Sequence, residues 1–444
     1  MPQAKLSAAA LNAFCEIDFR SQARVVVAVS GGSDSLALLL LLKRHLAETG
    51  AAIGLLVVTI DHGLRDESAA EARQVARIVA GLGLEHRTLA WQEPKPATGV
   101  SAAAREARHL LLAKAAGDAG SDLVLTGHTM NDQAETVSMR RARGQGRGEA
   151  GIAPATLFAN RCWFVRPLLG ARREELRGFL ASVGQEWIDD PTNADPHYER
   201  ARARETLPTS EVRRLAAQAD AAARDRAELG VRAAQLIAAH ADMPAPGLVR
   251  LDRAFAEATD RDAATYALRI LLASAGGTVQ LPDAARSEAL FARLGEVNFR
   301  ATLSRNVIDC RRAGIFLLRE RRGLPAAQPL LSGIWDGRFR IEGEARGELA
   351  PAGADGAPTE ETSGVPPSLA AAAGAARPAL RQGGNVVLLD RAGEEVAARA
   401  RPVVAPWARY LPSLDLAPAR AAAALLGADE IPRPPLARHI SRDA

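Results

Sequence analysis

Residues 24–29 read Arg-Val-Val-Val-Ala-Val, an apolar, β-branched stretch of the kind that forms a strand buried on both faces. Six small or polar residues, Ser30-Gly31-Gly32-Ser33-Asp34-Ser35, interrupt it. Residues 36–49 then return to a Leu- and Ala-rich pattern that predicts a helix stopped by Gly50. The same alternation predicts strands over 53–60, 86–91 and 122–126 and helices over 67–82, 100–116 and 131–143. Strands alternating with helices imply an α/β, Rossmann-like domain with a parallel sheet covered on both faces. Three polar segments, 30–35, 61–65 and 127–136, fall at or just after predicted strand C-termini, the edge where ligands bind in open α/β sheets.

Beyond this region, residues 172–183 predict another helix, and 209–239 a long amphipathic one with Val212, Leu215 and Ala219 on one stripe. Pro244 to Gly247 punctuates it. Residues 248–322 read as mainly helical at first and strand-like over 301–318. Residues 345–385 are rich in Ala, Gly and Pro, with Glu360, Glu361, Thr362 and Ser363 and few large apolar residues, which predicts a mobile loop or linker. Strand-like stretches at 334–341 and 385–403 flank it. The expected organisation is a catalytic domain over 1–205, a mainly helical domain over 206–325 and a small mixed module over 326–444 around the low-complexity insertion.

No apolar run approaches the roughly 18 residues needed to span a bilayer; the longest candidate, 36–42, ends at Lys43-Arg44-His45. The first 18 residues carry Lys5, Glu16 and Asp18 and lack the layout of an export signal. The expectation is a cytoplasmic protein without a membrane partner. Cys15, Cys162 and Cys310 are far apart, which excludes a Cys-x-x-Cys redox or zinc motif and an even disulfide framework. Net charge is +4, and apart from Lys5, Lys43, Lys95 and Lys114 every cationic Lys or Arg is arginine. Arginine contacts phosphate bidentately and stacks on bases, so the bias suits a nucleic-acid partner; coding bias in an Ala- and Arg-rich chain accounts for it equally well.

The chemistry is concentrated in the polar segments. In Ser30-Gly31-Gly32-Ser33-Asp34-Ser35 the paired glycines let backbone N–H groups approach an anion, the serines add donors, and the following helix directs its positive end at the same point. This predicts a phosphate cradle. It lacks the lysine of a Walker A loop. Asp34 would repel phosphate unless a divalent cation stands between them, which places it in a Mg²⁺ environment.

The six-residue string resembles the PP-loop of the N-type ATP pyrophosphatases. The segments Asp61-His62-Gly63-Leu64-Arg65 and Gly127-His128-Thr129-Met130-Asn131-Asp132-Gln133-Ala134-Glu135-Thr136 resemble the second and third blocks of the tRNA(Ile)-lysidine synthetase family. Arg166-Pro167-Leu168-Leu169, Trp187-Ile188-Asp189-Asp190-Pro191-Thr192-Asn193 and Trp335-Asp336-Gly337-Arg338-Phe339 are supporting marks. The resemblance covers most of residues 20–340 and implies an adenine nucleotide alpha hydrolase-like fold. It also implies an ATP- and Mg²⁺-dependent ligase that adenylates the wobble cytidine of the isoleucine tRNA with a CAU anticodon, after which the ε-amine of L-lysine displaces AMP. Decoding changes from AUG to AUA.

The same resemblance implies that Ser30 to Ser35 bind the pyrophosphate part of ATP. Asp34 and Asp132 are then the acidic pair for Mg²⁺ or for deprotonating the lysine ammonium. His128, Gln133 and Glu135 position ATP or cytosine, and His62 and Arg65 face the nucleotide or the lysine. The family pattern carries a second acid where this chain has Asn131, and an Asn where it has Ala201. Arg140, Arg141, Arg143 and Arg147 have only Glu149 against them nearby, which predicts a tRNA phosphate patch. Arg200, Arg202 and Arg204 sit beside Glu199 and Glu205 and read either as tRNA contacts or as a solvated, salt-bridged face. Two rival readings remain: a tRNA thiolase on the same ATP fold, which needs a cysteine in a motif block, and a nucleotide-binding sensor without chemistry.

Overall fold

The computed structural model describes residues 6–19, 21–65, 67–144, 147–189, 199–356, 364–393 and 396–436. The chain forms two compact units: Met1–Arg226 with Pro412–Leu414 and Arg433–Ala444, and Ala227–Leu411 with Asp415–Pro432. Among the described residues no helix is long and apolar enough to cross a membrane.

The first unit contains strands β1 (Arg24–Ala28), β2 (Gly54–Asp61), β3 (Glu85–Ala90), β4 (Leu123–Thr126), β5 (Ala155–Phe158) and β6 (Cys162–Val165). Its helices are α1 (Ala8–Leu11), α2 (Ser33–Thr49), α3 (Ser68–Gly81), α4 (Val100–Asp118), α5 (Met130–Ala142), α6 (Arg173–Ser182) and α7 (Glu199–Thr206); α8 (Thr209–His240) begins here and ends in the second unit. The six strands stand in the order β5-β6-β4-β1-β2-β3, all parallel except β5, as the alternating pattern predicts for an α/β domain. Val25, Val26 and Val27 of β1 are fully buried, as a central strand covered on both faces requires. The order reverses beside β1: β2 and β3 extend to one side, β4 and β6 to the other. Ala28 lies opposite Thr126, so the C-terminal ends of β1 and β4 flank a topological switch point.

The β5–β6 hairpin has no alternating signature, because every residue of both strands is buried; its turn carries Ala159 and Asn160 at positive φ.

The second unit contains β7 (Ala241–Ala245), β8 (Leu248–Leu251), β9 (Arg300–Leu303), β10 (Asn306–Arg311) and β11 (Gly314–Arg319) in an antiparallel sheet of order β7-β8-β11-β10-β9. Helices α9 (Arg261–Gly276), α10 (Ala284–Phe291), α11 (Pro367–Gly374) and α12 (Leu416–Leu426) accompany it. Two smaller antiparallel sheets follow β11. The region expected to be mainly helical holds α8, α9 and α10 together with a five-stranded sheet, and the Pro244-to-Gly247 punctuation belongs to a hairpin, with Gly247 at φ +76°. Chain positions 205 and 325, expected as boundaries, lie inside the first and second unit respectively.

The expected mobile segment at 345–385 is folded wherever it is described. Strands Glu348–Pro351 and Pro378–Gln382 pair with one another. Leu369, Ala370 and Ala373 of α11 pack with Leu248, Phe316 and Leu318. Its small residues permit close backbone approach: a Cβ on Gly356 would stand 2.1 Å from the Gly374 carbonyl oxygen. Glu360, Glu361, Thr362 and Ser363 lie outside the described residues. The Trp335-to-Phe339 stretch is a turn whose Asp336, at φ +49°, is fully buried and accepts from Arg305, Arg319 and Arg338.

Replacing Leu369, 4% exposed, by Ala is expected to cost about 2–5 kcal/mol in urea unfolding. An unchanged midpoint would mean that this segment adds nothing to the core.

Candidate active site

The loop after β1 is held by its own side chains. Ser35 Oγ accepts from the Ser30 N–H at 3.2 Å and donates to the Gly32 carbonyl at 3.0 Å. Gly31 adopts φ +90°, and its carbonyl accepts from Ile188 N at 3.0 Å or less (2.9 Å), so the chain at 187–189 lies against the loop. The first N–H groups of α2 have no capping side chain. A Cβ on Gly127 would stand 2.9 Å from the backbone of Asp34 and from Ser35 Cα. Glycine after β4 is therefore what lets the first turn of α2 close on the segment at 127–136, bringing the cradle and the residues of α5 to one place.

There the acids meet arginines. Arg173, the first residue of α6, donates from Nε to Asp34 Oδ2 at 2.9 Å, from Nη1 to Glu135 Oε1 at 3.1 Å and from Nη2 to Asp132 Oδ1 at 3.2 Å. Arg200 reaches Glu135 Oε2 at 3.0 Å and Asp132 at 3.3 Å, and Arg204 reaches Glu135 Oε1 at 3.0 Å. Asp132 Oδ2 also accepts the backbone N–H and hydroxyl of Thr129 at 2.8 and 2.7 Å, capping α5. Burial raises the Asp34 carboxyl, with Arg173 opposing. For Asp132 burial acts the same way, but Arg200, Arg173 and the Thr129 N–H outweigh it and hold the group below the usual carboxylate range. Burial alone would weaken the Arg173 cation; Asp132, Asp34 and Glu135 more than offset that and keep it charged.

Other predicted residues divide by what they touch. His128 accepts or donates at Thr126 Oγ1, 3.1 Å away, and burial, with Arg166 adding, pushes its imidazole down to about 3. His62 lies 3.3 Å from Arg108 Nη2, has a buried Nδ1 without a hydrogen-bond partner, and is pushed down to about 4 by burial and Arg108. Arg65 pairs with Glu71 at 3.0 Å. Gln133 gives both ends of its amide to the backbone of Ile152, at 3.2 and 2.5 Å. Arg140 donates to the Gly148 and Gly151 carbonyls at 3.0 and 2.7 Å. Both therefore brace the loop after α5.

The expected patch around residue 140 is thinner than its sequence neighbourhood implies. Arg140 is turned onto carbonyls and Arg143 pairs with Glu199, an acid distant in sequence; Arg141 remains exposed. The Arg147 side chain and Asp190-Pro191-Thr192-Asn193 lie outside the described residues. Arg200 and Arg204 face the acids instead of forming a solvated surface, while Arg202 is exposed. Asn131 has a structural use: its Oδ1 accepts from the Arg173 backbone N–H at 3.0 Å.

Arg173, which bonds to all three acids, is the residue of this cluster that sequence reasoning misses. Its one local signal is that a cation at the first position of a helix opposes the helix dipole, which calls for a compensating partner. The Asp34 and Asp132 carboxylates are hard oxygen donors of the kind Mg²⁺ takes in ones and twos beside substrate phosphates. Among the described residues no group of three or more His, Cys, Asp or Glu forms a cage for a metal by itself. The donor set thus fits a cation shared with a bound nucleotide.

A family model described as a PP-loop domain matches residues 3–211. The chain is 52% identical over 445 residues to the tRNA(Ile)-lysidine synthase of Mesorhizobium japonicum, covering 96% of this chain and 97% of that one. It is 36% identical to the tRNA(Ile)-lysidine synthase of Rhizobium meliloti, with 94% and 95% covered. With that of Brucella ovis it shares 39% identity over 345 residues, covering 74% and 77%.

His62, His128 and His109, the last also pushed down to about 4 by burial, are neutral in the folded chain where an unfolded imidazole near 6.5 takes a proton. The stability this neutrality supports is complete above about pH 6.5 and drains as pH falls toward about 4. His109→Gln should make the urea midpoint fall less steeply between about pH 6.5 and 5; a slope equal to that of the unaltered chain would contradict the assignment.

Proposed function

The chain belongs to the tRNA(Ile)-lysidine synthase family, and we propose that it joins L-lysine to the wobble cytidine of the isoleucine tRNA with a CAU anticodon. One observation supports this above the others: the phosphate cradle of α2 and the carboxylates of Asp34, Asp132 and Glu135 meet at the switch point of one sheet.

In the first step the cytosine carbonyl oxygen attacks the α-phosphorus of ATP and pyrophosphate departs. The backbone N–H groups of the loop, the Ser30 and Ser33 hydroxyls and the positive end of α2 bind the charge that the leaving group gains. Mg²⁺, held by Asp34 and Asp132 together with the phosphates, would neutralise part of that charge. In the second step the lysine ε-amine attacks the cytosine carbon that bears the adenylated oxygen, the bond between that carbon and oxygen breaks, and AMP leaves. An amine attacks only after losing its proton, and Asp34 and Asp132 are the acidic pair assigned to Mg²⁺ or to that deprotonation.

His62 and His128, both neutral, serve as hydrogen-bonding groups for nucleotide, cytosine or lysine, and the open Nδ1 of His62 has a bond to offer. A wobble base has to leave its stack to be adenylated, which suits an anticodon loop. Arg141 is an exposed cation for the RNA backbone, and residues 206–325 are assigned to the tRNA body. The thiolase reading has little support: Cys15, Cys162 and Cys310 all lie outside the motif segments, and burial pushes the Cys162 thiol up to about 12 and Cys310 up to about 11.

Incubation with ATP, labelled lysine and the CAU isoleucine tRNA is expected to give labelled tRNA, AMP and pyrophosphate; a folded enzyme that incorporates nothing would overturn the reading. Asp34→Ala is expected to stop tRNA-dependent pyrophosphate release while filter binding of tRNA stays within about twofold. Equal loss of both would make Asp34 structural.

A further inference from the structure

Asp34 has both carboxylate oxygens in use. Oδ2 accepts from Arg173 Nε at 2.9 Å, and Oδ1 accepts from Ser33 Oγ at 3.2 Å. Asp132 and Glu135 have other cations in Arg200 and Arg204, but among the described residues Arg173 alone pairs with Asp34. Its guanidinium is thus the one link between the acid of α2 and the acids of α5. Without a cation there, three carboxylates from two helices would repel one another in a place with little water.

Arg173 is fixed independently of these pairs. Its backbone N–H is held by Asn131 Oδ1 at 3.0 Å. The start of α6 is closed by Glu175, which accepts from the Arg172 N–H at 2.7 Å and from Ser7 N and Oγ at 3.0 and 2.9 Å. The side chain is 14% exposed, so it does not relax freely into solvent. A planar fork that spans three carboxylates is a task for arginine; an ammonium cannot reproduce it.

We propose that Arg173 is a positioning residue that gathers the three carboxylates before substrates bind, and that a divalent cation arriving with the nucleotide must displace it from Asp34. The inference rests on the proposed function, in which Asp34 serves the nucleotide's cation. Arg173 acts through the carboxylates, so its loss has two effects of opposite sign: the cation meets less competition, while the acids lose their alignment.

The test uses Mn²⁺ as the probe, with free Mn²⁺ read by electron paramagnetic resonance in the presence of α,β-methylene-ATP, on the full chain and on Arg173→Met and Arg173→Lys. Removing one partly buried ion pair from the competition should tighten Mn²⁺ by up to about fivefold in Arg173→Met. Arg173→Lys should lie between it and the unaltered chain. In the same Arg173→Met variant kcat for lysine incorporation should fall by about 10²-fold without a higher KM for ATP. Weaker or unchanged Mn²⁺ binding in the folded variants overturns the proposal and leaves Arg173 a structural ion pair. Should Arg173→Met not fold, the direction of the Arg173→Lys shift decides. The Mn²⁺ readout is independent of turnover: tighter binding in a chain whose unaltered form makes no lysidine would defeat the reaction and uphold the competition, whereas an active chain with unshifted Mn²⁺ binding would do the reverse.

Discussion

Three carboxylates cannot be brought together inside a protein unless positive charge is brought with them. Asp34, Asp132 and Glu135 meet Arg173, Arg200 and Arg204, three acids against three guanidiniums, and this balance is the condition on which the site stands. The balance also constrains the fold. It requires α2 and α5 to present their first turns to one another and α6 and α7 to return to the same edge of the sheet.

The sheet makes that return possible. Because the strand order reverses beside β1, the segments after β1 and β4 leave side by side instead of being covered by a crossover helix. Gly127 then removes the side chain that would hold α2 away. A phosphate cradle alone would bind a nucleotide; here it stands beside three acids paired with three arginines. Site and topology are therefore one arrangement.

The second unit shows a different use of composition. A stretch rich in Ala and Gly has little apolar area per residue, which makes it look unable to fold. It folds here because small residues allow backbones to approach closely and because α11 packs against large residues of other strands, Phe316 and Leu318 among them. Asp336 likewise has its three arginine partners at positions 305, 319 and 338, two of them on other segments of the chain.

The parallel α/β core, the loop at Ser30 to Ser35 and the position of each motif at a strand end were legible in the sequence, since periodicity, β-branching and glycine placement act over a few residues. Partnerships were not. Arg173 and Asp34 are 139 residues apart, and Arg143 finds Glu199 across 56. An arginine in a charged stretch reads alike whether it faces solvent, a loop carbonyl or a buried acid. Coulomb attraction depends on distance in space, and only the packed chain sets that distance: it turned Arg200 and Arg204 inward, set Gln133 and Arg140 to brace a loop, and made Arg173 the link between the two acid-bearing helices.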